Sequence, residues 1–228
     1  VNYLNGETHL VNGVIPIKTR FVKNKHDFTK DTDVIDHVDE LPIPDFGVVD
    51  IKNYYKYGIL SAAQTVSYDT PLATMQTVRG CTARCTFCSV RNFNGKGVRA
   101  KSVQTVIDEL KGLKENYGIN HITWLDDDLL FDRDRTLNLF NEIVRNNLNV
   151  TWDASNGLIA SATVAHPELI DAAEKSGCIG AYFGIESGND QILRKIYKPS
   201  GIKHYLKLGE LMNKHEKIFT RGFLIIGF

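Results

Sequence analysis

The sequence has no charge of either sign to spare. Its 27 basic and 27 acidic residues cancel, so bulk electrostatics give no pull toward nucleic acid or an anionic membrane surface. No apolar run approaches the roughly 20 residues that cross a bilayer as a helix. No basic start followed by an apolar stretch marks a signal peptide. A glycine-rich phosphate loop and a Ser/His/Asp arrangement are both missing, and the seven histidines are scattered without metal-ligand spacing. Cysteine is scarce, at four residues. Without a secretory signal, closely spaced thiols read as a metal site in a reducing compartment rather than a disulfide framework. The cytoplasm is the default location. What remains is an ordinary globular composition, 43% hydrophobic and 24% charged over 228 residues, enough for one large domain or one and a half.

The few cysteines are unevenly placed. Cys81, Cys85 and Cys88 fall within eight residues, spaced C-x3-C-x2-C in Arg79-Gly80-Cys81-Thr82-Ala83-Arg84-Cys85-Thr86-Phe87-Cys88. One loop can turn three such thiolates onto a single soft-metal centre. A closed zinc site or closed iron–sulfur cluster wants four ligands. Cys178 lies ninety residues beyond Cys88 in an apolar segment and reads as a small buried residue at a strand start. Three protein ligands leave one metal position open, which suits chemistry rather than scaffolding. The alternative is a zinc-binding loop that borrows a fourth ligand such as His121.

Residues 1 to about 40 are polar and irregular. Pro42 and Pro44 then favour a stiff, extended surface connector over a helix. From Pro71 onward strands and helices alternate. Strands are expected at 74–78, 119–125, 150–155, 179–185 and 218–226. Between the first two strands, Val103, Val106, Ile107, Leu110 and Leu113 recur at helical steps, with Ser102 as N-cap and Gly118 as terminator. Leu137, Phe140, Ile143 and Val144 mark a second helix. A third starts near Pro167 and ends at Gly177. Residues 189–196 form a short helix, and Tyr205, Leu208, Leu211 and Met212 mark another. Such alternation predicts βαβ units and a parallel sheet. The fold expected is α/β: a partial (β/α) barrel over 71–228, truncated after about the fifth strand, behind an irregular segment over 1–70. The start at Val1 and the stop at Phe228, just past an apolar run, read as the ends of a fragment.

Barrels of this kind place ligands at the C-terminal ends of their strands. The cysteine loop follows the first strand. Asp126, Asp127 and Asp128 follow the second. Three adjacent carboxylates repel unless donors or a cation sit nearby. Asp128 reads equally well as part of a solvated turn before a helix capped by Asp132. Asn156-Gly157 follows the third strand and reads equally as a turn or a polar contact. Glu186 and Ser187 follow the fourth. A carboxylate ending an apolar strand is costly without a partner, while the Ser187 hydroxyl can cap the next helix. Between Arg79 and Lys101 there are six basic residues and no acidic one. Most of these read as solvated, and Arg99 is the one placed to offset negative charge.

The cysteine spacing, with Phe87 just before the third cysteine, resembles the cluster motif of the radical S-adenosylmethionine (radical SAM) superfamily. So do "G-I-E-S-G" at 184–188 and the Gly222-x-x-Ile225-x-Gly227 pattern. The Asp126-Asp127 pair and the "D-E-L-P-x-P" connector at 39–44 resemble the cobalamin-binding-domain-associated group of that superfamily. The resemblance implies a [4Fe–4S] cluster on Cys81, Cys85 and Cys88, with S-adenosylmethionine chelating the fourth iron. It implies SAM contacts among Phe87, Arg99, Asp126, Asp127, Asn156, Glu186 and Ser187. It further implies reductive cleavage of SAM to a 5′-deoxyadenosyl radical, used for methyl transfer or carbon-skeleton modification of a small-molecule substrate. The electron would come from a reductant such as ferredoxin or flavodoxin. Residues 1–70 would be the tail of an upstream cobalamin-binding domain plus its connector. Cobalamin would then belong to the full-length protein and not to this segment. The stretch Gly80–Arg99 also resembles tRNA methylthiotransferases. A non-catalytic iron–sulfur or zinc module is the alternative of another class.

Overall fold

The structure is a computed structural model that describes residues 35–57, 66, 67 and 69–228. The expectation of an irregular upstream tail therefore lies outside the described residues before position 35 and over 58–65. In chain order the elements are α1 (Ile51–Tyr57), β1 (Leu72–Met75), β2 (Val78–Arg79), α2 (Val90–Phe93), β3 (Arg99–Ala100), α3 (Val103–Tyr117), β4 (His121–Trp124) and α4 (Arg133–Arg145). There follow β5 (Thr151–Leu158), α5 (Ala160–Ala165), α6 (Glu168–Lys175), β6 (Cys178–Glu186), α7 (Asp190–Lys195), α8 (Ile202–Met212) and β7 (Phe219–Leu224).

Five strands form one parallel sheet in the order β1-β4-β5-β6-β7. Each spatial neighbour is also the next sheet strand in sequence, as expected for a partial (β/α) barrel. β4 is buried at every position, which is the mark of a parallel strand covered on both faces. The helices form the outer layer. α3 buries Val106, Ile107, Leu110 and Leu113. Ser102 Oγ accepts the Thr105 N–H at 3.2 Å, and Gly118, at φ 69°, ends the helix in a conformation that costs glycine little. Asp132 caps α4 as expected, accepting the Arg135 N–H. Between sheet and α4 the Phe140 ring stacks on Trp152 at 5.0 Å, and Trp152 meets Trp124 edge-on at 6.3 Å.

The N-terminal ends of the strands are closed by a buried polar pair. His121 Nδ1 lies 2.9 Å from Thr151 Oγ1, and its Nε2 lies 3.1 Å from Asp153 Oδ2. His121 opens β4, at the end of the sheet away from the cysteine loop, so it cannot complete a zinc site there. Cys178 opens β6 at the same end and is buried. It stands eight residues from the other end of its strand, or about 26 Å in extended chain.

The fold departs from the sequence reading at several points. β1 ends at Met75 rather than Val78, because the Thr77 and Val78 amides are taken by Asp126 and the Thr77 carbonyl accepts the Lys101 N–H. The chain leaves the sheet there and forms the β2–β3 hairpin instead. Asn156 and Gly157 lie inside β5, not after it: the register with β6 slips between Ala154 and Leu158, and Gly157 sits at φ 98°. α1, α2 and α5 are additional helices.

The proline stretch runs exposed over the surface as expected, extended at Leu41 and Asp45, but it is tied down on both sides. Val38–Glu40 and Phe46–Val48 wind into 3-10 turns. Asp39 Oδ1 accepts the Ser102 N–H at 2.8 Å, and Tyr117 donates its hydroxyl to Asp45 Oδ1 at 3.0 Å. Val38 is buried, and the Phe46 ring packs on Tyr117. Among the described residues no helix is long and apolar enough to cross a membrane.

Candidate functional site

The three adjacent carboxylates after β4 are not a solvated turn. They form a bracket along the stem of the cysteine loop, each holding a successive step of it. Asp126 Oδ1 accepts the Thr77 and Val78 N–H groups at 2.5 and 3.0 Å, and its Oδ2 accepts the Thr77 hydroxyl. Asp127 Oδ2 accepts the Gly80 N–H at 2.7 Å and the Asn94 side-chain amide at 2.5 Å. Asp128 Oδ2 accepts the Thr82 hydroxyl at 2.7 Å and its N–H at 3.3 Å, and lies 3.8 Å from Cys81 Sγ. Burial pushes the Asp126 carboxyl up to about 6, against the pull of its donors. Burial raises Asp128 as well, with the Thr82 donors opposing. Of the two readings of Asp128 the solvated turn is the one that fails: the side chain is buried, and Thr82 supplies the donors that make burial tolerable.

Gly80 must be glycine. It adopts φ 88°, and a Cβ there would stand 2.1 Å from the Gly97 carbonyl oxygen. At its far end the loop is tied to α7, with the Thr86 N–H donating to the Ile196 carbonyl at 3.0 Å.

The held loop faces a cavity of about 270 Å³. Cys81, Cys85 and Cys88 line it together with Phe87, Asp127, Asn156, Glu186, Lys198 and Phe223. The cavity therefore joins the cysteine loop to the C-terminal ends of β4, β5 and β6, as the barrel rule requires. Three sequence-expected contacts stand apart from its lining. Asp126 is spent on the loop stem. Arg99 gives its guanidinium to the Ile35 and Asn94 carbonyls. Ser187 Oγ accepts the Asn189 N–H, while Asn189, not Ser187, caps α7.

Lys198 is the site residue that sequence reasoning missed. Its Nζ lies 2.9 Å from Glu186 Oε1, and both side chains are about nine-tenths buried. Glu186 sits at φ 61°, and Tyr197, just before Lys198, at φ 54°. Two non-glycine residues in the left-handed region, each costing about 1–2 kcal/mol, flank one ion pair. Such strain persists where the surroundings over-determine it. Here the Ile225 N–H donates to the Glu186 carbonyl, and the Lys198 N–H to the Leu193 carbonyl. The only sequence trace of Lys198 was the need of a buried Glu186 for a partner.

The chemistry of the donor set fits a soft metal cluster. All four thiols are free, and only the three in the loop face the cavity. Burial, aided by Asp128 and the neighbouring thiols, pushes Cys81 up to about 12. Burial also raises Cys85, against the pull of Lys198. Thiols held this way stay neutral at pH 7 unless a metal takes their protons. Among the described residues no three His, Cys, Asp or Glu side chains close on a single ion. The three loop thiols share the lining of one cavity.

Residues 75–228 match the Radical SAM superfamily. The chain is 32% identical over 196 residues to "Uncharacterized methyltransferase PH0819" of Pyrococcus horikoshii, covering 86% of this chain and 39% of that protein. It is 30% identical over 194 residues to cytidylyl-2-hydroxyethylphosphonate methyltransferase of Streptomyces wedmorensis, covering 83% and 34%. It thus spans between a third and two fifths of the length of either relative. The fold is similar to that of the cobalamin-dependent S-adenosylmethionine radical enzyme OxsB, with a TM-score of 0.66 at 18% identity, over 86% of this chain and 27% of that one. A cysteine triad facing the strand ends of a parallel barrel, and a sequence match over two thirds of the chain, lead to one assignment: this chain belongs to the radical SAM superfamily.

Proposed function

We propose that residues 71–228 are the core barrel of a cobalamin-associated radical SAM methyltransferase. Cys81, Cys85 and Cys88 would hold a [4Fe–4S] cluster, and S-adenosylmethionine would occupy the adjoining cavity. The observation that carries this reading is the shared lining: three loop thiols and the strand-end groups Asp127, Asn156 and Glu186 face one space. When bound and reduced, such a cluster supplies the electron for cleavage of SAM, the source of a 5′-deoxyadenosyl radical.

The protein's part is to bind, orient and exclude water. Asp127 and Glu186 offer carboxylates to an ammonium group, and Lys198 offers a cation to a carboxylate. Asn156 donates its side-chain amide to the Leu125 carbonyl at 2.9 Å, which leaves its oxygen as an acceptor. At Gly157 a Cβ would stand 3.7 Å from the Phe223 ring, so the glycine keeps that wall open to a ligand. Phe87 and Phe223 supply apolar surface against which an adenosine can shelter.

Methyl transfer is favoured over carbon-skeleton chemistry because both relatives named above are called methyltransferases. Cobalamin, which OxsB depends on by name, would be carried by a domain of the longer protein outside this chain. Residues 1–70 would be the tail of that domain and its connector. A small-molecule methyl acceptor, a ferredoxin or flavodoxin reductant and a cytoplasmic setting complete the reading.

Anaerobic reconstitution tests it. About four irons and four sulfides per chain, with visible absorbance and SAM-dependent release of 5′-deoxyadenosine on reduction, are expected. One zinc per chain and no absorbance would refute the cluster and leave a binding module.

A further inference from the structure

Arg99 was expected to offset the charge of cluster and cofactor, but it does not line the cavity. It sits in β3 with its guanidinium between two backbone carbonyls. Nη1 donates to the Ile35 carbonyl, four residues before the connector, at 3.2 Å, and Nη2 donates to the Asn94 carbonyl of the loop that follows α2. Asn94 in turn donates its side-chain amide to Asp127 Oδ2, the same oxygen that accepts the Gly80 N–H. Gly80 precedes Cys81. A run of contacts therefore leads from Ile35, just before the connector, through Arg99, Asn94 and Asp127 to Gly80, the residue before the first cysteine.

The connector is fixed at a second point by Asp39, which accepts the Ser102 N–H two residues after β3. The planar fork of arginine suits this place, because it satisfies two acceptors at once, and a lysine point charge does so poorly.

We infer that Arg99 is a positioning residue through which the connector sets the placement of the cysteine loop and of Asp127. It acts on the backbone of Gly80, next to Cys81, and touches neither cofactor nor substrate. The inference goes beyond the proposed function and holds whatever the methyl acceptor is.

The test uses the full-length, cluster-loaded protein and two readouts. Hydrogen exchange at residues 79–82 is measured without S-adenosylmethionine, and S-adenosylmethionine affinity is measured separately. Arg99→Gln removes the fork. Asp39→Ala loosens the connector without touching the cysteine loop. Each is expected to speed exchange at Gly80 and Cys81 and to weaken S-adenosylmethionine binding by about threefold to tenfold, the size of one hydrogen bond. The double variant should be no worse than Arg99→Gln, since both act on one path. Arg99→Lys should recover part of the protection. If Asp39→Ala leaves exchange at 79–82 at the parent rate, or if the two effects simply add, Arg99 braces only Asn94 and the inference falls. Should Arg99→Gln fail to fold, the Asp39→Ala exchange rate decides alone. Failure to bind S-adenosylmethionine at all would refute the proposed function, while the exchange readout would still decide the role of Arg99.

Discussion

Lys198 Nζ and Glu186 Oε1, 2.9 Å apart, lie directly over Gly184: a Cβ placed on that glycine would stand 2.6 Å from both atoms. The pair and the glycine form one unit, in which the backbone is thin where the ion pair crosses it. The contacting atoms are the ends of long side chains, so Gly184→Ala should displace the pair rather than unfold the barrel. A stability loss of about 1 kcal/mol is expected, alongside a loss of S-adenosylmethionine affinity of about tenfold. Thermal unfolding and calorimetric titration of the same variant check both.

Breaking the pair is a different experiment. Lys198→Ala leaves the Glu186 carboxylate buried and uncompensated, at a cost of about 3–5 kcal/mol. Glu186→Gln leaves the ammonium an uncharged acceptor and should cost less. Both should retain iron, because neither residue is a thiol. Denaturant midpoints ranked in the reverse order would show that the pair does not hold this end of β6.

Cys81→Ala, Cys85→Ala and Cys88→Ala should each lose most of the iron on reconstitution. Cys178→Ala should keep it, at a cost of about 1 kcal/mol for the small cavity. Its thiol is pushed up by burial and lies 3.6 Å from the Gly180 carbonyl, at the far end of β6. Full iron content in Cys85→Ala would remove the ligand assignment.

Asp126 makes a pH prediction. Its carboxyl is pushed up to about 6 by burial, above the ordinary 3.8. The folded state thus holds this proton more tightly than the unfolded one. The contribution favours the fold below about pH 4 and is lost as pH rises through 6, by roughly 3 kcal/mol in all. Asp126→Asn keeps an acceptor for the two backbone amides and cannot ionise. The Thr77 hydroxyl can reverse and accept from the new amide. The variant should flatten the fall in stability between pH 4 and 6 and be no less stable than the parent at pH 7. Denaturation at four pH values, with identical slopes for the two proteins, would show that Asp126 does not titrate there.

Gly80 and Gly97 of the β2–β3 hairpin should respond unequally to substitution. Gly80→Ala drives a Cβ against the backbone oxygen of Gly97 and should cost several kcal/mol, with loss of cluster retention. Gly97 also has φ near 87°, but a Cβ there meets nothing within 4 Å. Gly97→Ala should therefore cost only the conformational strain of about 1–2 kcal/mol. Iron retention per folded chain separates the two.

The five sheet strands were legible because alternation and apolar runs are local signals, and the cysteine triad because its ligands are neighbours in sequence. The hairpin was not legible. Val78–Arg79 and Arg99–Ala100 are two residues each, and what pulls Val78 off the sheet is a carboxylate 48 positions away. The slip in β5 was hidden for a similar reason, since register depends on the partner strand. α5 has no charged residue in Ala160–Ala165 to outline a face. Lys198 was invisible as a site residue because only the fold brings it back to Glu186. Asp126 was read as facing a ligand because strand-end carboxylates do so in barrels of this type, whereas its oxygens are filled by the loop it supports.

Of the two register irregularities in β5, the one between Ala154 and Leu158 separates a covered lower part of the strand from an upper part at the cavity. Residues 152–154 are buried and paired on both sides, while 155–157 are only partly covered and lead into the cavity. With the ladder interrupted between them, the upper part is held by side chains instead: Ser155 and Asn156 donate to the Trp124 and Leu125 carbonyls. Its amides are therefore expected to exchange faster than those of the lower part, which carries the Trp152–Phe140 stack.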